Sequence, residues 1–110
     1  MRLERITYTV TDTSYADLPM SINGLLRTII NVEDNISISC HANCTTEDVD
    51  VYILGRESDS GAWINLATVT VGTGDTDKEI LVDTLRVADI KFQAQSAGGT
   101  GVLSISATVK

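Results

Sequence analysis

The sequence predicts an all-β fold, an antiparallel β-sandwich or jelly roll of about eight strands. Three observations lead to this prediction: apolar and polar residues alternate in most segments, short polar or Gly-rich turns separate the segments, and no long segment has the helical period. The chain has 110 residues, of which 43% are hydrophobic and one is proline, a composition typical of a folded protein with one core. We expect one sandwich domain over residues 1–110, with residues 1–20 as an arm or an edge strand.

The first strand is predicted where Ile6, Tyr8 and Val10 alternate with threonines, the period of a half-buried strand. The next segment, residues 12–19, is polar and predicts a turn. Within this turn, Tyr15 would either anchor the loop on the core or lie at an interface.

Residues 25–32 allow two interpretations. Four apolar residues would share one face of a short helix, but residues 28–32 are rich in β-branched side chains, so we favour a strand. The four apolar residues are Leu25, Leu26, Ile29 and Ile30.

A second alternating segment follows, with Ile36, Ile38 and Cys40 predicted to face the core. A polar bend at residues 33–35 separates it from the preceding strand. The short separation predicts a hairpin between these two strands.

Residues 49–54 carry apolar side chains on both faces, which is typical of a central strand of a sandwich or of a strand covered by a neighbour. A polar turn at residues 55–61 leads to a strand over residues 64–71. The phase of that strand shifts between Leu66 and Val69, which predicts a bulge or a twist.

The C-terminal third predicts three more strands. A Gly- and Asp-rich connection at residues 72–78 precedes a short strand at 80–82, and residues 87–95 form the most regular amphipathic strand of the chain. The Gly-rich residues 96–101 predict a hairpin turn into a last strand at 102–109.

The charge excludes some classes of partner. Lysine and arginine total 8 against 15 acidic residues, a formal net charge of −7, and the basic residues are dispersed. We expect no nucleic-acid binding, because no basic cluster could release counterions.

We also expect no membrane span, because no apolar run approaches ~20 residues. The N-terminus has no secretory-signal pattern, so we expect synthesis in a cytoplasm.

Three soft metal ligands, Cys40, His41 and Cys44, lie within one short segment. They are weak candidates for a metal site, since a structural zinc site needs four ligands and the chain has no further cysteine or histidine. A disulfide between the two cysteines is an alternative. Free thiols at a strand end are the interpretation that we favour for a chain made in a cytoplasm. We expect no cofactor.

No catalytic constellation is evident. His41 is the single histidine, and Cys44 lies in the same segment, whereas nucleophile and base normally come from distant segments. The Gly-x-Gly at residues 72–74 lacks the Lys-Ser/Thr of a phosphate loop, and the alternating acids at 75–79 lack the Gly and the closing Glu of a calcium loop. We therefore expect that the protein is not an enzyme.

Trp63, the single tryptophan, has two interpretations. An exposed tryptophan beside polar residues on a sandwich could stack against a sugar ring, but we favour a tryptophan packed in the core at the start of its strand. Tyr52 and Tyr15 are further candidates for contact with a ligand or a partner. Scattered in sequence, these aromatics do not by themselves define a binding face.

The C-terminal 60 residues resemble small β-sandwich structural proteins of tailed bacteriophages. The resemblance lies in a strand, a polar Gly-x-Trp turn, a second strand, an Arg-headed strand and a Gly-rich final hairpin. These are VYILGRESDSGAWINLATV at 51–69, LRVADIKFQA at 85–94 and GGTGVLSISATVK at 98–110. Discoidin-like and sugar-binding sandwiches share this local pattern.

The resemblance implies a non-enzymatic virion component, such as a capsid decoration or cement protein or a head or tail accessory protein. It implies capsid or tail subunits as partners, a homo-oligomeric state and a place in the virion after synthesis in the host cytoplasm. The alternative is a carbohydrate- or receptor-binding module. No catalytic residues are implied.

Overall fold

Two antiparallel sheets face each other across one core. The computed structural model describes residues 1–11, 14–83 and 85–110, and within these ranges it contains eleven strands and no helix. The strands are β1 (Arg2–Val10), β2 (Ala16–Leu18), β3 (Met20–Ile22), β4 (Leu25–Arg27), β5 (Ile30–Asn31), β6 (Ile38–Thr45), β7 (Val49–Arg56), β8 (Ile64–Val71), β9 (Lys78–Val82), β10 (Asp89–Ser96) and β11 (Gly101–Val109). The prediction of an all-β sandwich is confirmed.

The strand order explains why topology could not be read from the sequence. One sheet has six strands in the order β4-β3-β1-β11-β6-β9, and the other has the order β2-β10-β7-β8, with β5 also paired to β10. Neighbouring strands of the chain pair directly in the hairpins β3–β4 and β7–β8. The remaining connections pass from one sheet to the other, as in a jelly roll.

The core lies between the sheets and is built from alternate residues of the long strands. Strands β6, β7, β10 and β11 bury every second side chain, and Phe92 is the largest fully buried one. Each fully buried Val, Leu, Ile, Phe or Met side chain contributes about 1.5–3 kcal/mol to the stability of the fold. The radius of gyration is 13.1 Å, the value expected for a compact chain of this length.

Three features of the β7 region agree with the sequence. Strand β7 lies between β10 and β8, so its prediction as a central strand is confirmed. The turn between β7 and β8 closes a hairpin. The register between them shifts where Ile53 and Leu54 pair with Ala67 and Asn65, which leaves Leu66 as the extra residue of the predicted bulge.

The two hairpins predicted at residues 33–35 and 96–101 are wrong. Strand β5, before the bend at residues 33–35, pairs with β10, while β6, after the bend, pairs with β11 and β9. Residues 96–101 likewise carry the chain from β10 in one sheet to β11 in the other. Short loop length favours a hairpin locally, but in a sandwich a turn of equal length can cross between layers.

Smaller corrections concern strand ends. The turn predicted at residues 12–19 ends in β2, and Asp12 and Thr13 of that prediction lie outside the described residues. The strand favoured at residues 25–32 is divided into β4 and β5. Ile36 does not face the core: it is 70% exposed, because β6 begins only at Ile38.

The N-terminal segment joins both sheets. Strand β1 pairs with β11 along its length and with β3 at Glu4 and Ser21. Strand β2 belongs to one sheet and β3 to the other, and the intervening Pro19 has no backbone N–H for a ladder. The chain therefore changes sheets at Pro19.

A tight turn joins β3 to β4. Its two central residues have positive φ, 52° at Asn23 and 81° at Gly24, as a two-residue type I′ hairpin requires. The Glu4 Oε1 atom accepts hydrogen bonds from Ser21 Oγ at 2.9 Å and from the Gly24 N–H at 2.8 Å. These bonds, the Gly24 amide first, lower the pKa of the Glu4 carboxyl. Glu4 therefore ties the hairpin to β1.

Candidate functional site

The outer face of the five-stranded sheet carries aromatic residues, and we call it the aromatic face. Tyr52 points outward from β7, between the buried Val51 and Ile53. The Tyr15 ring packs edge-to-face on the Tyr52 ring, with ring centroids 4.2 Å apart and an interplanar angle of 74°. A hydrogen bond to Tyr15 is the main reason that the pKa of Tyr52 rises to about 12, and partial burial adds to it. The two tyrosines thus form one unit.

Trp63 lies on the same aromatic face and outside the hydrophobic core, so the favoured core packing is wrong. Its ring centroid is 4.6 Å from Arg56 Cζ and 4.7 Å from Lys91 Nζ. Both cations project outward from β7 and β10, and their attraction to the indole ring holds Trp63 half-buried against the sheet. The ring therefore covers two charged side chains instead of filling the core.

Ion pairs compensate the charges beside Trp63. Arg56 Nε donates to Asp89 Oδ2 at 2.9 Å, and both side chains are largely buried. Lys91 Nζ lies 3.5 Å from Asp17 Oδ1, and Gln93 Nε2 donates to the same oxygen at 2.8 Å. This part of the aromatic face has no strong local charge, which suits an uncharged polar partner better than an ion.

The three predicted contact residues Trp63, Tyr52 and Tyr15 therefore share one face. This common face is not evident from the sequence, because it depends on pairing between distant strands. Strand β2, which follows Tyr15, pairs with β10, and β10 pairs with β7. Only this pairing across the sheet brings Tyr15 to Tyr52.

Strand β6 separates the three weak metal candidates. Cys40 and Cys44 point into the core as free thiols, while His41 points to the outer face. Four residues along a strand span about 13 Å, beyond the ~7 Å Cα separation that a disulfide allows. Burial raises the pKa of the Cys40 thiol to about 12. Cys40 lies inside β6, and Cys44 is next to the last residue of that strand. The described residues contain no cluster of three or more His, Cys, Asp or Glu that could hold a metal.

An unexpected polar network lies on the outer face of the six-stranded sheet. His41 Nε2 is 3.4 Å from Ser39 Oγ, and His41 Nδ1 is 3.5 Å from Asp77 Oδ2. Arg5 contacts Asp77 at 3.4 Å and donates to Ser104 Oγ at 3.1 Å. The order serine, imidazole, carboxylate matches that of a hydrolytic triad, and it was missed because Asp77 is distant in sequence.

The surroundings of this network do not suit acyl transfer. Strand β6 is paired on both sides, with Thr108 of β11 and Leu81 of β9 opposite Ser39. Backbone N–H groups of such a strand are used in the sheet ladder and cannot serve as oxyanion donors. Distances of 3.4 and 3.5 Å are also long for the hydrogen bonds that activate a serine. We interpret the network as a set of surface contacts that holds β1, β6 and the loop before β9 together.

A second surface feature is apolar, and we call it the edge patch. It consists of Leu25 and Leu26 on β4 and of Ile29 just after it, which are 60%, 61% and 45% exposed. Strand β4 is the last strand of its sheet, and all three of its residues are exposed. The Asn-Gly pair at 23–24 is the sequence signal for this hairpin.

No family model matches the chain, and no curated protein matches it. Among solved structures, the mitogen derived from Yersinia pseudotuberculosis is similar at 13% identity and a TM-score of 0.57, over 98% of this chain and 86% of that one. The SPBc2 prophage-derived protein YomS is similar at 9% identity and a TM-score of 0.50, over 98% and 96%. A variant of a family 29 carbohydrate-binding module is similar at 14% identity and a TM-score of 0.48, over 96% and 92%.

At these identities the similarities to the mitogen and to YomS show the fold, a small β-sandwich, and nothing of this chain's ligands or partners. Within the described residues, no helix has the length and apolarity needed to cross a membrane. The aromatic face and the edge patch are the surface features from which a binding or structural role can be argued.

Proposed function

We propose that the protein is a non-enzymatic structural component of a phage particle, of the capsid decoration or cement type, which docks on capsid or tail subunits by protein–protein contacts. The observation that carries this proposal is the edge patch. Leu25 and Leu26 are exposed on the edge strand β4 and Ile29 is exposed just after it, so none of the three is buried within the single chain. Exposed apolar residues grouped at a sheet edge mark an interaction surface.

Two further properties support this proposal. The resemblance of the C-terminal 60 residues to phage sandwich proteins points to the virion, and the prophage-derived YomS has a similar fold. A net charge of −7 keeps free copies soluble before assembly, while their apolar edge remains available for docking.

Particle incorporation tests this function. Particles purified from a culture that expresses the gene should contain the protein at a regular stoichiometry, measured by mass spectrometry and immunogold labelling. Leu26→Asp should reduce incorporation at least tenfold, because it places a charge in the patch. Ile64→Asp is the matched control, since Ile64 is similarly exposed but lies on β8 of the other sheet. Full particle stability and morphology after deletion of the gene would contradict the proposal.

The aromatic face favours a second candidate function, a carbohydrate- or receptor-binding module. The exposed Tyr15 ring, Tyr52 and the half-buried Trp63 offer apolar ring surfaces beside the amide and carboxylate of Gln93 and Asp17. A pyranose presents the same combination of apolar C–H faces and hydroxyl groups.

Titration of Trp63 fluorescence with a panel of neutral glycans tests the second candidate. Binding should shift or quench the emission, and Tyr15→Ala should weaken the response because it removes the more exposed ring of the pair. Tyr8→Phe is the control, since the Tyr8 side chain packs against the core from β1, away from the aromatic face. An unchanged spectrum with every glycan would count against binding at Trp63.

A further inference from the structure

Strand β4 is a sheet edge whose protection is limited to its short length and one charged residue. Edge strands are normally shielded by charges, prolines or bulges, because their free N–H and C=O groups can pair with another chain. Strand β4 has one charged residue, Arg27, and presents Leu25 on one face of the sheet and Leu26 on the other. Its pairing with β3 is regular, with Ser21 opposite Leu26. The free edge of β4 can therefore accept one more strand.

The local charge allows a second copy of the chain to approach here. Two molecules of net charge −7 repel each other over most of their surface. Residues 18–32 contain no acidic residue and one basic residue, Arg27. The carboxylate that contacts this hairpin, Glu4, lies on β1 and accepts hydrogen bonds from Ser21 and Gly24, so no acidic residue stands on β4 itself.

We propose that β4 pairs with β4 of a second copy, antiparallel, around a two-fold axis that passes beside Leu26. The inference rests on the proposed function and deepens it: the edge patch joins copies of the structural subunit to each other, so that associated copies are incorporated into the particle. A strand that pairs with its own copy across a two-fold axis is necessarily antiparallel, and the interface is self-complementary.

This register follows from the three residues of β4. Leu26 lies opposite its counterpart in the second copy, and Arg27 lies opposite the counterpart of Leu25. The two guanidinium groups are therefore not opposed, and each can cover a leucine with its aliphatic stem. Ile29 adds apolar surface beside the strand. The six-stranded sheets of the two copies become one continuous sheet.

The contact is small. Three residues of strand and one flanking side chain fall short of the ~1,200–2,000 Å² that stable complexes bury, so the dimer should be weak and concentration-dependent. On a particle, many such contacts act together, and effective concentration strengthens each of them.

Disulfide trapping tests the register. Leu26→Cys brings two thiols to a directly opposed pair, at a Cα separation of about 4.5–5.5 Å, within the range of a disulfide. Leu25→Cys is the matched control: it is equally exposed, but its two copies would be offset by two residues and lie about 8 Å apart. The native Cys40 and Cys44 are buried and should not react.

On mild oxidation, Leu26→Cys should give at least ten times more cross-linked dimer than Leu25→Cys. Equal yields from the two variants, or no dimer from either, would overturn the proposed pairing. Unchanged circular dichroism of both variants establishes that they are folded.

Sedimentation velocity over increasing concentration provides an independent test. The wild type should shift from monomer to dimer, and Leu26→Lys should remain monomeric. Leu81→Lys is the control, because Leu81 is 54% exposed on β9 at the opposite edge of the same sheet, and this variant should dimerise like the wild type. A monomeric wild type at every concentration, or a dimeric Leu26→Lys, would overturn the inference.

These results are distinguishable from those of the proposed function. If Leu26→Cys traps a dimer and purified particles contain none of the protein, the virion role is contradicted and the dimer is supported. Loss of incorporation by Leu26→Lys without any dimer in solution would show that β4 binds a particle subunit, which overturns the second copy as its partner.

Discussion

The β7–β10 ladder and the β3–β4 hairpin are antiparallel units of opposite character. The ladder has eight paired positions, and alternate residues on both of its strands are buried. The hairpin has three paired positions and joins β1 through the single pair of Glu4 and Ser21. Stability is therefore concentrated in the ladder, while the hairpin is anchored in the core through Met20 of β3 and leaves the apolar residues of β4 available to partners.

Truncation of one large apolar side chain in each region should give the largest contrast. Phe92→Ala empties a fully buried position of β10 and should lower the free energy of unfolding by about 3–5 kcal/mol. Leu26→Ala removes an exposed side chain and should change it by less than ~0.5 kcal/mol. Urea denaturation of dilute protein measures both. A loss at Leu26 equal to that at Phe92 would show that the hairpin belongs to the cooperative core.

Substitution of Gly55 by alanine should have the next largest effect on the free energy of unfolding. A Cβ there would lie 2.8 Å from Leu66 Cδ1 and 2.9 Å from Val87 Cγ1, so Gly55→Ala overpacks the inner face of β7. We expect a loss of about 1–3 kcal/mol in thermal or urea unfolding. Gly74→Ala is the control, since a Cβ at Gly74 meets nothing within 4 Å. Equal stability of the two variants would contradict the close packing.

The turns that follow β6 and β3 should respond differently to glycine. Thr46 has a φ of 79°, a left-handed conformation that a β-branched residue adopts only under strain. Thr46→Gly should therefore stabilise the protein by roughly 0.5 kcal/mol, after the entropic cost of glycine in the unfolded chain. Asn23→Gly should give no gain, because asparagine tolerates its φ of 52°. Differential scanning calorimetry of both variants measures the difference.

The smallest effect should be a local pH dependence in the hairpin. Folding lowers the pKa of Glu4, so its contribution is complete above the carboxyl's ordinary pKa and is lost as the pH falls through the lower folded value. The protection factor of the Gly24 amide should fall over that acidic window, measured by hydrogen exchange. Glu4→Gln should remove the pH dependence, because the amide accepts the same hydrogen bonds without titrating. A pH-independent wild type would contradict this role for Glu4.

The candidate site was predictable residue by residue but not as an arrangement. Trp63, Tyr52 and Tyr15 were identified as contact residues from their type, yet their common face depends on the pairing of β2 with β10 and β10 with β7. The network of Ser39, His41 and Asp77 was not identified at all. Local patterns report which face a residue occupies and do not report which strand lies beside it.

The sequence by itself determined the all-β class, the central position of β7, the bulge at Leu66 and the inward direction of Cys40, because each depends on an alternation of period two within one segment. The tertiary structure alone decided the strand order, the crossing of residues 96–101 between sheets and the position of Trp63 over Arg56 and Lys91. It also decided that Leu25 and Leu26 lie at an edge. Alternation records whether a strand has a buried face, whereas pairing between distant strands is a property of the whole chain.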